Sequence, residues 1–152
     1  MGKQSLDCYM RWLCTLLLCF AAAAAWAEDY EVGQVWSYKT RPQEKDSTLM
    51  VLRIDNSSKL GQVVFVGLKD VRVQHPTGKI LSSMSPLPFT KEALDQSVIK
   101  VVGKTDKLMS YNFGYQKWKE AQFAGKRPPT YVKPVADIVN ALENGYIGIP
   151  QK

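Results

Sequence analysis

The sequence predicts an α+β fold: an antiparallel β-meander of three to four strands, followed by about three helices packed on one face. Three observations carry this expectation. Short apolar runs separated by polar turns fill residues 32–74, which is the punctuation of strands. Apolar residues at helical spacing, with capping residues at their ends, fill most of 90–145. The strands come first and the helices afterwards, which favours α+β over a wound α/β sheet.

The first strand is expected over 32–40, with Trp36 and Tyr38 on one face. Arg41-Pro42-Gln43-Glu44-Lys45-Asp46 is a polar turn. The second strand covers 47–55, with Met50, Leu52 and Ile54 on one side and Leu49, Val51 and Arg53 on the other. Asn56-Ser57-Ser58-Lys59 with Gly61 makes the next turn. Residues 62–68 form a continuous apolar run that fits a central strand, with Gly67 as a bulge position. Val71 and Val73 then alternate with Asp70, Arg72 and Gln74. Short connections favour antiparallel pairing.

Residues 75–88, rich in Pro, Ser and Gly, are expected to be a loop. A helix follows. Thr90 is its N-cap, Glu92 lies in its first turn, and Phe89 and Leu94 stand at staple positions. Leu94, Val98, Val101 and Val102 form its buried stripe, and Gly103 ends it. A second helix runs over about 112–124, with Tyr111, Tyr115 and Trp118 on one face and Lys117 and Glu120 opposite. Gly125 closes it and Pro128-Pro129 prevents continuation. Residues 130–133 form a short strand. Pro134 opens a third helix with Val135, Ile138, Val139 and Leu142 inward, and Gly145 stops it.

Residues 1–27 read as a cleavable secretory signal. Lys3 and Arg11 precede an apolar stretch over 13–25, and Ala25-Trp26-Ala27 is the small-x-small pattern before Glu28-Asp29. Met10 is an alternative start. The apolar run is short for a spanning helix, which needs about 20 residues, so cleavage is expected over anchoring. Cys14 and Cys19 follow Leu13 and Leu18, not the small residue that lipid modification requires. One domain is expected over 28–145, with 146–152 as a tail.

Removing 27 of 152 residues leaves 125, enough for a core held by burial alone. All three cysteines leave with the signal, so no disulfide is expected in a compartment that would permit one. Of 20 basic and 14 acidic residues, Lys3, Arg11 and Asp7 leave with it. The remainder carries 18 against 13, net +5. Such a surface draws anionic partners. Outside the cytoplasm, in a periplasm or beyond the cell, that means an acidic protein, anionic lipid head groups or an anionic envelope polymer. Nucleic acid is not expected there, and membrane contact is expected only in passing, through the signal.

The catalytic inventory is poor. One histidine, His75, and no cysteine remain after cleavage, which excludes the usual zinc sites. The acids are not spaced for a calcium loop. Ser97-Val98-Ile99-Lys100 matches S-x-x-K, but S-D-N and K-T-G partners are absent. Gly103-Lys104-Thr105 imitates the end of a phosphate loop, yet Val98 stands where its first glycine belongs. Glu44, Asp55 and Asp70 are available carboxylates at strand ends and turns. No catalytic, cofactor-binding or metal-binding residue is assigned, and no cofactor is expected.

Residues 111–131 stand out. Tyr111, Phe113, Tyr115, Trp118, Phe123 and Tyr131 lie among Lys117, Lys119, Lys126, Arg127 and Lys133. Aromatic residues and arginine are favoured at interfaces. Tyr111, Tyr115 and Trp118 are expected in the core by their shared face. Phe113, Lys117, Phe123, Lys126 and Arg127 are the candidate partner-binding residues. The rival reading places the aromatics in the core alone.

Val35-Trp36-Ser37-Tyr38-Lys39-Thr40-Arg41-Pro42, then Leu87-Pro88-Phe89-Thr90 with Leu94 and Ser97, then Gly114-Tyr115-Gln116-Lys117-Trp118, then Pro134-Val135-Ala136-Asp137-Ile138-Val139 follow in order. Together they resemble a group of small bacterial proteins, some exported and some cytoplasmic. That group carries W-x-Y-K-x-R-P, L-P-F-[ST] and G-Y-x-x-W segments. The resemblance spans most of 30–142. It implies a bacterial origin and a single domain, and attaches no activity.

The expected function is therefore an exported, non-catalytic domain that binds a protein partner in the envelope, as inhibitors and immunity proteins do. A small carboxylate-dependent hydrolase acting on cell-wall or glycan material, and a structural envelope component, are the alternatives.

Overall fold

The computed structural model describes residues 29–75 and 77–145. The signal segment and the tail lie outside the described residues. The strands are β1 (Gln34–Tyr38), β2 (Thr48–Ser57), β3 (Gly61–Gln74), β4 (Ile80–Thr90) and β5 (Val98–Lys104). The helices are the one-turn α1 (Lys91–Asp95), α2 (Asn112–Phe123) and α3 (Val135–Glu143), and a 3₁₀ turn covers Pro42–Glu44. The α+β class stands, with five strands instead of three to four. They form one antiparallel sheet in the order β4-β3-β2-β1-β5.

The helices do not share a face. Leu49, Val51, Val64 and Val66 point to one side, where Leu94, Val135, Ile138 and Val139 cover them. Met50, Leu52, Val63 and Phe65 point to the other, where Tyr115 and Trp118 cover them. Consecutive residues 49–52 and 63–66 are all buried, which is what a strand covered on both faces looks like.

Two irregularities redirect side chains. The β2–β3 register shifts between Val51 and Arg53, so Arg53 joins Leu52 and lies 4.2 Å over the Tyr115 ring. Ile54 therefore packs with Leu49 and Val51, against the expected grouping with Met50 and Leu52. One extra residue reverses every later side chain of a strand. Asp70, at φ 58, does the same in β3, a conformation that Asp tolerates better than most residues. Residues 62–68 and 70–74 thus form one bent strand. The register between β3 and β4 also shifts next to Gly67, between Val66 and Leu68.

Two expectations fail on β-structure. Most of the expected loop over 75–88 is strand β4, joined to β3 by a tight turn in which His75 N–H donates to Lys79 O at 2.8 Å. The expected helix over 90–103 stops at Asp95. Its start is as expected: the Thr90 hydroxyl accepts from Ala93 N–H, and Phe89 and Leu94 are both fully buried. Then a run rich in β-branched residues forms strand β5, in which Val98 and Val101 pair with Tyr38 and Trp36 of β1 while Ile99 and Val102 fall at the two register shifts. Val101 and Val102 are consequently about half exposed, not a buried stripe. Residues 130–133 contribute a single parallel bridge between Tyr131 and Phe89.

Candidate functional site

Helix α2 is fixed at three points. Tyr115 and Trp118, both 3% exposed, meet the Phe65 ring edge-on at centroid distances of 5.2 and 5.1 Å. The Tyr115 hydroxyl donates to Asp55 at 2.7 Å, and Trp118 Nε1 donates to the Thr130 hydroxyl at 3.1 Å. At the end of the helix, Gly125 at φ +70 donates to Gln122 O and Lys126 N–H to Ala121 O. This is a Schellman closure that glycine makes possible. It sets the direction in which Lys126-Arg127 leaves the helix.

The five candidate residues are all exposed, with Phe113 and Phe123 each at 80%. They do not form one patch. Ten residues along a helix separate Phe113 from Phe123 by about 15 Å. Lys117 lines one recess; Lys126 and Arg127 line another.

The first recess is a groove of about 230 Å³ between α2 and β4, walled by Pro86, Pro88, Pro129, Trp118 and Tyr131, with Phe65 at its base and Lys117 at its rim. Gly114 lets α2 approach: a Cβ there would lie 2.7 Å from the Pro86 ring. Tyr131 lines the groove, and burial raises its pKa above the ordinary value. Lys117 is paired with Glu120 at 2.9 Å, both exposed. Apolar walls with one charged rim group suit the insertion of an apolar or aromatic side chain.

The second recess, about 60 Å³, lies between the β2–β3 hairpin and the end of α2. It is lined by Ser57, Ser58, Lys59, Gln122, Lys126 and Arg127 together with the apolar Leu60 and Pro128, and no acidic residue lines it. Between the two, Lys119 lies 5.7 Å from the Tyr115 centroid and 5.6 Å from that of Phe123.

The remaining sequence candidates have structural roles. Ser97 is 1% exposed; its hydroxyl donates to Ala93 O at 2.7 Å and accepts from Val135 N–H at 2.9 Å. Lys100 lies exposed on β5 opposite Ser37. Gly103-Lys104 is extended strand, with Lys104 paired to exposed Glu31. The His75 ring bonds the Thr77 hydroxyl at 2.8 Å. Glu44 is buried against Arg41 and accepts Arg72 N–H, and Asp55 holds Tyr115. Among the described residues no three His, Cys, Asp or Glu converge on a metal-sized site. No helix among them is long and apolar enough to cross a membrane.

Sequence reading missed Pro86, Pro88, Pro129 and Tyr131 as groove walls and Ser57, Ser58 and Lys59 as residues that line the second recess with Lys126. Pro86-Leu87-Pro88 was the available signal: prolines confined to an edge strand project a rigid apolar rim. Nothing local in the sequence links the hairpin at Lys59 to Lys126. Comparison with protein-family models finds no family that matches the chain, and comparison with curated proteins and with solved structures finds no match either.

Proposed function

We propose that this chain is an exported, non-catalytic binding domain of the bacterial envelope that engages an acidic protein partner through the outer side of α2 and the groove beside it. The observation that carries the reading is the exposure of Phe113, at 80%, on the same helix as Lys117, whose side chain rims a preformed apolar groove. Large aromatic side chains facing water at this level contribute nothing to the core, and they supply the anchors of interfaces.

Charge selects the partner. Residues 111–133 hold Lys117, Lys119, Lys126, Arg127 and Lys133 against Glu120 alone. An acidic surface is drawn to such a region and oriented by it. Strand addition is disfavoured. The edge strand β5 carries Lys100 and Lys104 and two shifts in register, and the other edge, β4, carries Pro86 and Pro88. Lysines, bulges and prolines are the devices that keep edges from pairing.

The test is retention from periplasmic extract on immobilised protein, with identification by mass spectrometry. Wild type is expected to retain an acidic protein that is released by high salt and lost with the Phe113→Ala/Lys117→Ala variant. Equal retention by that folded variant would refute the reading.

A further inference from the structure

We propose that the recess between the β2–β3 hairpin and the end of α2 is a binding site for one phosphate-class oxyanion. Lys59 from the hairpin and Lys126 and Arg127 from the chain after α2 all line one small hollow, so three positively charged residues from two separate elements border it. None of them forms an ion pair among the described residues. Like charges gathered without a carboxylate repel one another, and an anion held between them removes that repulsion.

The lining chemistry fits a tetrahedral oxyanion. Arg127 offers a planar fork of donors, and Lys59 and Lys126 offer point charges, a combination suited to phosphate. The Ser57 hydroxyl oxygen accepts from Lys59 N–H at 3.4 Å, which leaves its proton to donate. Ser58 is exposed, and Gln122 adds an amide at the wall. A hollow of about 60 Å³ has room for a small hydrated or oxygen-rich group.

A simpler account has Lys126 and Arg127 complementing the negative end of the α2 dipole. That dipole end amounts to about half a charge, and the Ala121 and Gln122 carbonyls are already bonded by Lys126 and Gly125. Three full positive charges exceed what the terminus calls for, and Lys59 belongs to another element altogether. This inference does not rest on a partner at the groove, since Phe113 and Lys117 take no part in it.

The test is an amide NMR titration of the protein with inorganic phosphate, against sodium chloride at equal ionic strength. Saturable shifts in the millimolar range, confined to Ser58, Lys59, Gln122, Lys126 and Arg127, are expected. Lys126→Ala/Arg127→Ala should raise the midpoint by at least about tenfold. Lys100→Ala/Lys107→Ala, which removes the same charge elsewhere, should leave the midpoint within about twofold. Linear shifts, equal shifts with chloride, or a wild-type midpoint in the Lys126→Ala/Arg127→Ala variant would overturn the site. Sedimentation with phosphatidylglycerol vesicles but not phosphatidylcholine vesicles, reversed by phosphate, assigns the anion to a lipid headgroup. No sedimentation with the titration intact assigns it to a soluble phosphate or phosphoester, and both outcomes keep the site.

Discussion

On one face of the sheet, α3 lies on an apolar stripe and is clasped by a buried ion-pair cluster; on the other, α2 is held by two aromatic rings and keeps its own lysines outside. Arg41, 3% exposed, donates to both Glu44 oxygens at 2.9 and 2.8 Å, to Arg72 O at 3.0 Å and to Asn140 and Glu143 of α3. Glu143 in turn accepts Gln74 N–H at 2.7 Å. Each charge in that cluster meets an opposite charge or a backbone group. Against α2, two charged groups of the sheet meet Tyr115: Asp55 accepts from its hydroxyl, and the Arg53 guanidinium lies over its ring. The cations on and just beyond α2 face water, with Lys117–Glu120 their only ion pair among the described residues. A face that uses its charges internally closes a fold; a face that turns them outward is available to something else.

The largest expected effect follows from the clasp. Glu44→Ala leaves buried Arg41 with Glu143 as its remaining carboxylate partner and strips Arg72 N–H of its acceptor. Removing one member of a buried ion pair costs about 3–5 kcal/mol. Asp55→Ala, on the α2 face, loses one partly buried hydrogen bond and should cost about 1 kcal/mol. Urea unfolding with matched slopes measures both. Equal costs would mean that the two faces are not closed by different means.

A smaller effect is read from pH. The backbone bond from Gln74 lowers the Glu143 pKa most; burial opposes it, and Arg41 adds to the lowering. A carboxylate depressed in the folded state contributes stability that is fully present above its unfolded value. That stability is lost as pH falls through the folded value. Wild type should therefore exceed Glu143→Gln by about 1 kcal/mol near neutrality. The gap should close as pH drops below about 4.5, the ordinary value for Glu. A gap unchanged down to the lowest pH at which both remain folded would detach Glu143 from the clasp.

How much of this was legible follows from where each signal sits. α2 and α3 were readable because their information is local: Tyr115 and Trp118 share a face, Gly125 closes one helix and Pro134 opens the other. The fate of 98–104 was not. Val98, Val101 and Val102 fit a helical stripe as well as a twice-shifted strand, and what decided was the free edge of β1, which lies 60 residues earlier in the chain. Strand β4 was hidden by its prolines, which an edge strand accepts because an N–H on its outer side needs no partner. The two-faced packing was visible and passed over: an unbroken apolar run at Leu49-Met50-Val51-Leu52 already asks for cover on both sides. At the candidate site, the outward direction of Phe113 could be taken from helical geometry, since it lies opposite Tyr115 and Trp118. Its division into a groove and a basic hollow could not, because Pro86, Tyr131 and Lys59 come from distant parts of the chain.

The smallest stability effect is expected where the sequence reading placed function. Phe113→Ala and Phe123→Ala each remove a ring that is 80% exposed, so little apolar burial is lost, while alanine is the better helix former by a few tenths of a kcal/mol. Phe123 also gives up its contact with Lys119 at 5.6 Å, worth about 0.5 kcal/mol at an exposed site, which roughly cancels that gain. Both variants should therefore unfold within about 0.5 kcal/mol of wild type. Trp118→Ala, on the same helix but 3% exposed, should lose about 3–5 kcal/mol. A loss above about 1 kcal/mol for Phe113→Ala would show the ring already covered in solution, by a second copy or another part of the chain. The outer side of α2 would then be a closed face like that of α3, and the groove beside it would lose the anchor that makes it a site for a separate partner.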